Sequence, residues 1–295
     1  MKEKVYAGIM GLVVGDALGV PFEFKQRDTF KCEGMTGWGT YNQPPGTWSD
    51  DSSLTLATLE SIGRLGWVIP DDIMQNFFRW YFNAEFTPHG EVFDIGRTTR
   101  QAIERYRYGT PAIKCGGKGE MDNGNGALMR ILPLAFTNCE GATIKEVCAL
   151  THNHDISKAA CLYYVSMARS LFKDDRSINI TQDAMQYVID RMEEVPKEFF
   201  ERIADLWGKR QIKSTGYVVD TLEAARWCLI TSNSYKDCVL RAVNLGGDTD
   251  TIAAVAGGLA GLLYGVGGEK GIPTEWIDQI ARKEYIRELC EGLTV

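Results

Sequence analysis

Residues of like character recur at intervals of three and four along most of this chain, the period of an amphipathic helix. Leu54, Thr58, Ile62 and Leu65 share one helical stripe, as do Ile73, Phe77 and Tyr81, and later Val239, Ala242 and Val243. The run from Val5 to Val14 is apolar on every face, which predicts a first helix buried all round. Helix starts are marked by Thr143 with Glu146, by Ser234 with Asp237 and by Pro70. Thr181, Pro196 and Thr221 can open three more, and Gly63, Gly66, Gly109 and Gly208 mark ends or breaks. Strand-like segments are scarce, Tyr217-Val218-Val219 being the best short candidate. The pattern predicts an all-α fold, a compact bundle of about a dozen helices joined by short connections.

Two Gly-rich stretches interrupt the helices, one from Cys32 to Trp48 and one from Cys115 to Gly126. Long irregular loops within a folded unit are usually functional or disordered, and neither stretch has the polar low-complexity composition of a linker. With no repeat and no boundary signal, residues 1–295 are expected to form one domain.

Composition narrows the function classes. Seven Trp, twelve Tyr and twelve Phe supply enough apolar area to exclude disorder as the dominant state. A formal net charge of −7 argues against nucleic acid as the main partner. Lys2 and Lys4 before an apolar run resemble a leader, but Glu3 intervenes and no small-residue cleavage pattern precedes Asp16, so a buried helix is expected. No uninterrupted apolar stretch approaches the roughly 20 residues needed to span a bilayer, so no membrane is expected. The eight cysteines show no C-x-x-C pair or zinc-type spacing, pointing to a reduced, cytoplasmic protein.

The chemistry-bearing segments each have a bland local reading. In Ser49-Asp50-Asp51-Ser52, Ser49 or Asp50 can cap the following helix, and acids in a first turn suit the helix dipole. In Gly246-Gly247-Asp248-Thr249-Asp250-Thr251, glycine can end one helix and Asp or Thr can cap the next. Taken together they suggest more, because each offers paired carboxylates beside hydroxyls, all hard oxygen donors suited to magnesium, manganese or calcium. Two such charges about 5 Å apart repel by roughly 3 kcal/mol at an effective dielectric of 20, so four converging carboxylates call for cations. The small residues from Ala253 to Gly261 predict close helix–helix approach, a rigid support for the second segment. Asp16 lies in an apolar context where a buried helix-end hydrogen bond is expected, and Glu23 follows a proline turn. Asp122 to Arg130 reads as a Gly-rich loop entering a helix, of a kind that can hold phosphate. His152-Asn153-His154 is read as structural or substrate-facing, and His89 has no supporting context.

These segments, in this order, resemble the ADP-ribosylglycohydrolase family. The matching pieces are Gly15-Asp16-Ala17-Leu18-Gly19 with Glu23, Trp48 to Ser52, Asn123 to Arg130, Thr151 to His154, Gly216 to Val219, and Gly246 to Thr251, together spanning about residues 5 to 265. Any one is weak evidence; six in order are strong. The resemblance implies an orthogonal all-helical fold with a binuclear Mg or Mn site. Ser49, Asp50, Asp51, Asp248, Asp250 and Thr251 would be the metal ligands. The family usually has Thr where Ser49 stands, a change that keeps the oxygen donor. The resemblance also implies substrate contacts from Asn123, Gly124, Asn125 and His152, and an acid near the scissile bond at Glu23.

The implied activity is hydrolysis of the bond joining ADP-ribose to an acceptor, protein or small molecule. Such cleavage passes through an oxocarbenium-like state and needs an activated water, whose proton Glu23, Asp50 or Asp248 can accept. A helical metal-dependent nucleotide pyrophosphatase, which would release AMP, and a non-catalytic ADP-ribose binder are the alternatives. A monomer or weak homo-oligomer is expected.

Overall fold

A computed structural model of the chain describes residues 1–173, 180–204 and 211–293. Helices α1 (Lys2–Gly19), α2 (Asp50–Leu65), α3 (Pro70–Asn83) and α4 (Arg97–Arg107) come first. A stretch of short 3-10 turns leads to α5 (Gly141–Ala149), α6 (Asp155–Phe172), α7 (Ile180–Ile189) and α8 (Lys197–Ala204). The chain continues through α9 (Val218–Ile230), α10 (Tyr235–Val243), α11 (Thr249–Tyr264), α12 (Thr274–Ile277) and α13 (Lys283–Gly292). Among the described residues there are only isolated β-bridges and no strand ladder, so the all-α expectation holds.

The fold is organised around α1 and α11, which run against each other along their length. Both are buried on nearly every face, α1 from Val5 to Gly19 without a break. Helix α1 is long and apolar enough to cross a membrane, but here it is almost wholly enclosed by protein. Glycines form the seam. A methyl group on Gly15 would lie 2.1 Å from the Ala253 carbonyl oxygen, and one on Gly261 would lie 2.1 Å from that of Ala7. No side chain fits between backbones so close, which is why repeated Gly is accepted at some cost in helix propensity. Helices α2, α10 and α13 pack around α1, while α6 and α9 close over α11.

Several local signals are realised as expected. Pro70 opens α3, Ser234 caps α10 by accepting from the Asp237 N–H at 3.1 Å, and Gly66 ends α2 in the left-handed region. Helices α7 and α8 begin beside Thr181 and Pro196, and Gly109 turns the chain just past α4.

Others are corrected. Tyr217-Val218-Val219 forms the entry to α9 rather than a strand, Tyr217 making one isolated bridge to Gly124. β-Branched propensity yields there to burial of Val218 and Val219 on a helix. Thr221 therefore lies inside α9 instead of opening it. Helix α5 starts at Gly141 after Glu140, so Thr143 is within its first turn and is not its cap. Gly63 lies inside α2, where a methyl group would reach Gly292 at an ordinary 3.6 Å. Gly208 lies outside the described residues.

Candidate active site

Two helix N-termini and the end of a third helix meet at one place. Ser49 is the N-cap of α2: its hydroxyl accepts from the Asp51 N–H at 3.3 Å and donates to Asp51 Oδ2 at 3.0 Å. The capping reading is thus correct and still leaves the Asp50 and Asp51 carboxylates at the mouth of the helix, where the dipole favours negative charge. Asp248 stands at the N-cap of α11 without capping it; its Oδ2 accepts from the Asn125 amide at 2.8 Å. The Gly246-Gly247 turn before it requires φ of +72° and +74°, a conformation glycine adopts without strain.

Asp16, fully buried near the end of α1, organises the α2 terminus. It accepts from the Ser49 N–H at 3.0 Å, from the Ser52 N–H at 3.1 Å and from the Ser52 hydroxyl at 2.5 Å. The helix-end hydrogen bonding expected of Asp16 is what the structure contains. Beyond it the chain turns through Val20–Phe22 to Glu23, and the Phe24 N–H donates to the Gly247 carbonyl at 2.7 Å. That bond staples Glu23 to the Asp248 segment. Thr249 completes the junction by donating to the Gly19 carbonyl at 2.8 Å.

The result is a cluster of carboxylates drawn from distant parts of the chain. Oxygens of Asp16, Asp51 and Asp250 lie within 4.8 Å of one another, and so do those of Glu23, Asp248 and Asp250. Asp50, Asp51 and Asp250 are pushed well above the usual carboxylate range, chiefly by burial and then by their acidic neighbours. Burial, opposed by bonds from Ser52 and Ser49, raises Asp16 to about 6. Glu23 rises to about 8, through burial first and the Asp94 charge second. Asp51 Oδ1 and Glu23 Oε2 are buried with no hydrogen-bond partner in the protein. A buried oxygen of this kind is costly unless something polar meets it, so the donor set fits hard divalent cations.

A match decides which family the chain belongs to. A family model described as ADP-ribosylglycohydrolase matches residues 1–295. The chain belongs to the ADP-ribosylglycohydrolase family. It is 32% identical over 298 residues to an ADP-ribosylarginine hydrolase of Serratia proteamaculans, covering 99% of this chain and 79% of the relative. It is 30% identical over 294 residues to the ADP-ribosyl-[dinitrogen reductase] glycohydrolase of Rhodospirillum rubrum, covering 96% and 92% of the two chains. A solved structure titled ADP-ribosylglycohydrolase-related protein complex superposes with a TM-score of 0.79 at 28% identity, covering 99% and 97% of the chains. The protein is an enzyme of this hydrolase class.

Within this ADP-ribosylglycohydrolase, the Asn123–Gly126 loop pairs with the entry to α9 through the Val218 N–H to the Asn123 carbonyl and the Asn125 N–H to the Gly216 carbonyl, both 3.0 Å. Asn123 accepts from the Ser157 hydroxyl at 3.0 Å, and the Asn125 amide also reaches Thr221 at 2.9 Å. Both side chains are thus held by the fold. The expected helix after this loop is a 3-10 turn, Asn125–Arg130. His152 is buried against Gly124 and Gly126, whereas His154 caps α6 by accepting from the Ile156 N–H at 3.2 Å, and His89 pairs with Thr47 at 2.9 Å.

Two residues of the site carry no sequence motif. Asp94, in the loop before α4, is raised by burial and by the Asp248 charge. Tyr41, in the first Gly-rich stretch, hydrogen-bonds Glu23 and Asp94. Neither lies on a periodic segment or beside another acid, so only the folded chain reveals them.

Proposed function

We propose that this chain hydrolyses the glycosidic bond between ADP-ribose and a modified acceptor, with two divalent cations, Mg or Mn, held by Ser49, Asp50, Asp51, Asp248, Asp250 and Thr251. The observation that carries this reading is the pair of buried, partnerless carboxylate oxygens on Asp51 and Glu23 inside two triads of acids. When bound, such cations neutralise the acids and supply Lewis-acid polarisation of ribose and water oxygens.

The chain's own residues do the remaining work. Asp16 keeps the α2 terminus in place, and Asn125 fixes the rotamer of Asp248. Glu23, ionised once cations neutralise its acidic neighbours, takes the proton of the attacking water; Asp50 and Asp248 are the other carboxylates within the same cluster. The loop at Asn123, Gly124 and Asn125, with His152 behind it, receives the ADP-ribose. Helices near both chain ends, α1 and α13, pack on α2, which supports one domain over residues 1–295. Eight free cysteines support a reducing, cytoplasmic setting, and a monomer or weak homo-oligomer acting on an ADP-ribosylated protein or small molecule completes the reading.

The test is incubation with arginine-, serine- and acid-linked ADP-ribosyl substrates, with and without chelator, and identification of the product by mass. Intact ADP-ribose that disappears on chelation is expected. Release of AMP would select a pyrophosphatase, undiminished turnover by stripped protein would reject the metal site, and affinity for ADP-ribose without cleavage would leave a binder.

A further inference from the structure

Arg130 is fully buried, yet no carboxylate among the described residues pairs with it. Its guanidinium lies over the Phe77 ring, 4.5 Å from the centroid, and its Nε and Nη1 have no hydrogen-bond partner. Nη2 donates to the Val147 carbonyl at 3.3 Å and, better placed, to the Thr151 hydroxyl at 2.8 Å. Thr151 Oγ1 in turn lies 2.8 Å from His152 Nδ1.

Hydrogen-bond capacity favours one order of donors along this row. A guanidinium only donates, so Thr151 Oγ1 must accept from it. Among the described residues His152 Nδ1 is the acceptor at hand for the hydroxyl proton, and the row is fully satisfied when that nitrogen is bare; a protonated Nδ1 would donate to the second lone pair of Oγ1 and leave the hydroxyl proton without a partner. Burial and the Arg130 charge hold the imidazole neutral, lowering its pKa to about 3. A neutral ring with Nδ1 bare carries its proton on Nε2. That nitrogen faces the two glycines of the substrate loop: a methyl on Gly124 would lie 3.4 Å from it, and one on Gly126 would lie 2.8 Å from the adjoining Cε1. The backbone of this segment is pinned as well, by Gly117 N–H to the Thr151 carbonyl at 3.0 Å and Asn153 N–H to the Gly117 carbonyl at 2.7 Å.

We propose that Arg130 and Thr151 are positioning residues that lock His152 as a neutral Nε2–H donor to an oxygen of the bound ADP-ribose, beside the Gly124–Gly126 loop. The assignment rests on the ADP-ribose reading of the site for its ligand, but the row of hydrogen bonds stands without it. Gly126 acquires a further reason: a side chain there would crowd the ring that makes the contact, whereas a methyl on Gly124 would only touch it at 3.4 Å.

The experiment uses the intact protein with ¹⁵N-labelled histidine, which is tractable because the chain has three. Long-range ¹H–¹⁵N spectra read the tautomer of His152 directly, and calorimetry with free ADP-ribose reads its use. In the parent protein and in Thr151→Ser, Nε2 is expected protonated and Nδ1 bare. In Thr151→Val, the two tautomers are expected to mix, with ADP-ribose affinity falling about tenfold, the size of one hydrogen bond to a charged or strongly polar oxygen. A parent His152 protonated on Nδ1, or a Thr151→Val protein with unchanged tautomer and affinity, would overturn the assignment. Neither measurement requires turnover, so absence of hydrolysis would defeat the proposed activity and leave this result to be judged separately.

Discussion

The Thr251 hydroxyl donates to Asp51 Oδ2 at 3.3 Å, joining two helix N-termini that lie 200 residues apart in the chain. Helices α2 and α11 thereby point their positive ends at one spot, and the acids in their first turns share the favourable field of both. That field offsets part of the repulsion among the carboxylates. Burial and, after it, acidic neighbours still push Asp50, Asp51 and Asp250 well above the usual carboxylate range, so the field does not offset all of it.

Asp248→Asn keeps the size of the side chain and removes its charge. Turnover is expected to fall by at least about 100-fold, more than is typical for outer-shell changes at metal sites. Calorimetric titration with Mn²⁺ should show weaker binding in the same variant. Full activity with native metal affinity would remove Asp248 from the centre.

The Asn125 amide donates to Asp248 Oδ2 at 2.8 Å, so on the proposed mechanism its effect on the reaction passes through Asp248. Asn125→Ala should lower kcat by about 10- to 100-fold while the protein still binds cations, since it removes an orienting partner and no ligand. Loss of cation binding comparable to that in Asp248→Asn would mean that Asn125 is more than an orienting group.

Raised carboxyl pKa values predict a pH dependence with a definite sign. Glu23 is pushed up to about 8 and Asp16 to about 6 in the cation-free fold, whereas an unfolded chain ionises such groups near about 4. Between those values the unfolded state binds fewer protons than the folded one, so stability falls as pH rises. Chelated protein should therefore lose Tm from about pH 4 to about pH 8, and Glu23→Gln should flatten the upper part of that fall. Saturating Mg²⁺ should raise Tm more at pH 8 than at pH 6; an equal gain at both would contradict the protonation of the empty cluster.

Gly15→Ala tests the seam. The added methyl meets the Ala253 carbonyl oxygen at 2.1 Å, and two long buried helices must part to accept it. Destabilisation of about 2 kcal/mol or more is expected, in the upper range for overpacking, read from urea unfolding. Cation affinity should fall as well, because the same shift displaces Asp16 and the α2 terminus that it holds. Native stability would show that the α1–α11 spacing is adjustable.

Helix positions were legible because their signals are local. Pro70, Ser234 and Gly66 act within a turn of their own helices, and the glycines and alanines of α11 announce close packing wherever its partner lies. Local signals fail where packing overrides them, as at Tyr217-Val218-Val219, whose β-branched pair is enclosed as a helix entry. The donor types at Ser49 to Asp51 and Asp248 to Thr251 were equally plain, since hard oxygen ligands are a matter of composition. Asp94 and Tyr41 were not, because a solitary acid or phenol in a loop carries no pattern until the loop is placed.

The amino-acid sequence by itself determined the helical class, the breaks between helices and the chemical kind of the donors, all encoded within a few residues of each position. Tertiary structure alone decided that the acids meet, that Asp16 serves the α2 terminus and that the buried Arg130 stands one hydroxyl away from His152. Bringing like charges together is locally unfavourable. It happens because the glycine seam lets α1 and α11 bury their length, and that apolar burial outweighs the repulsion at their ends.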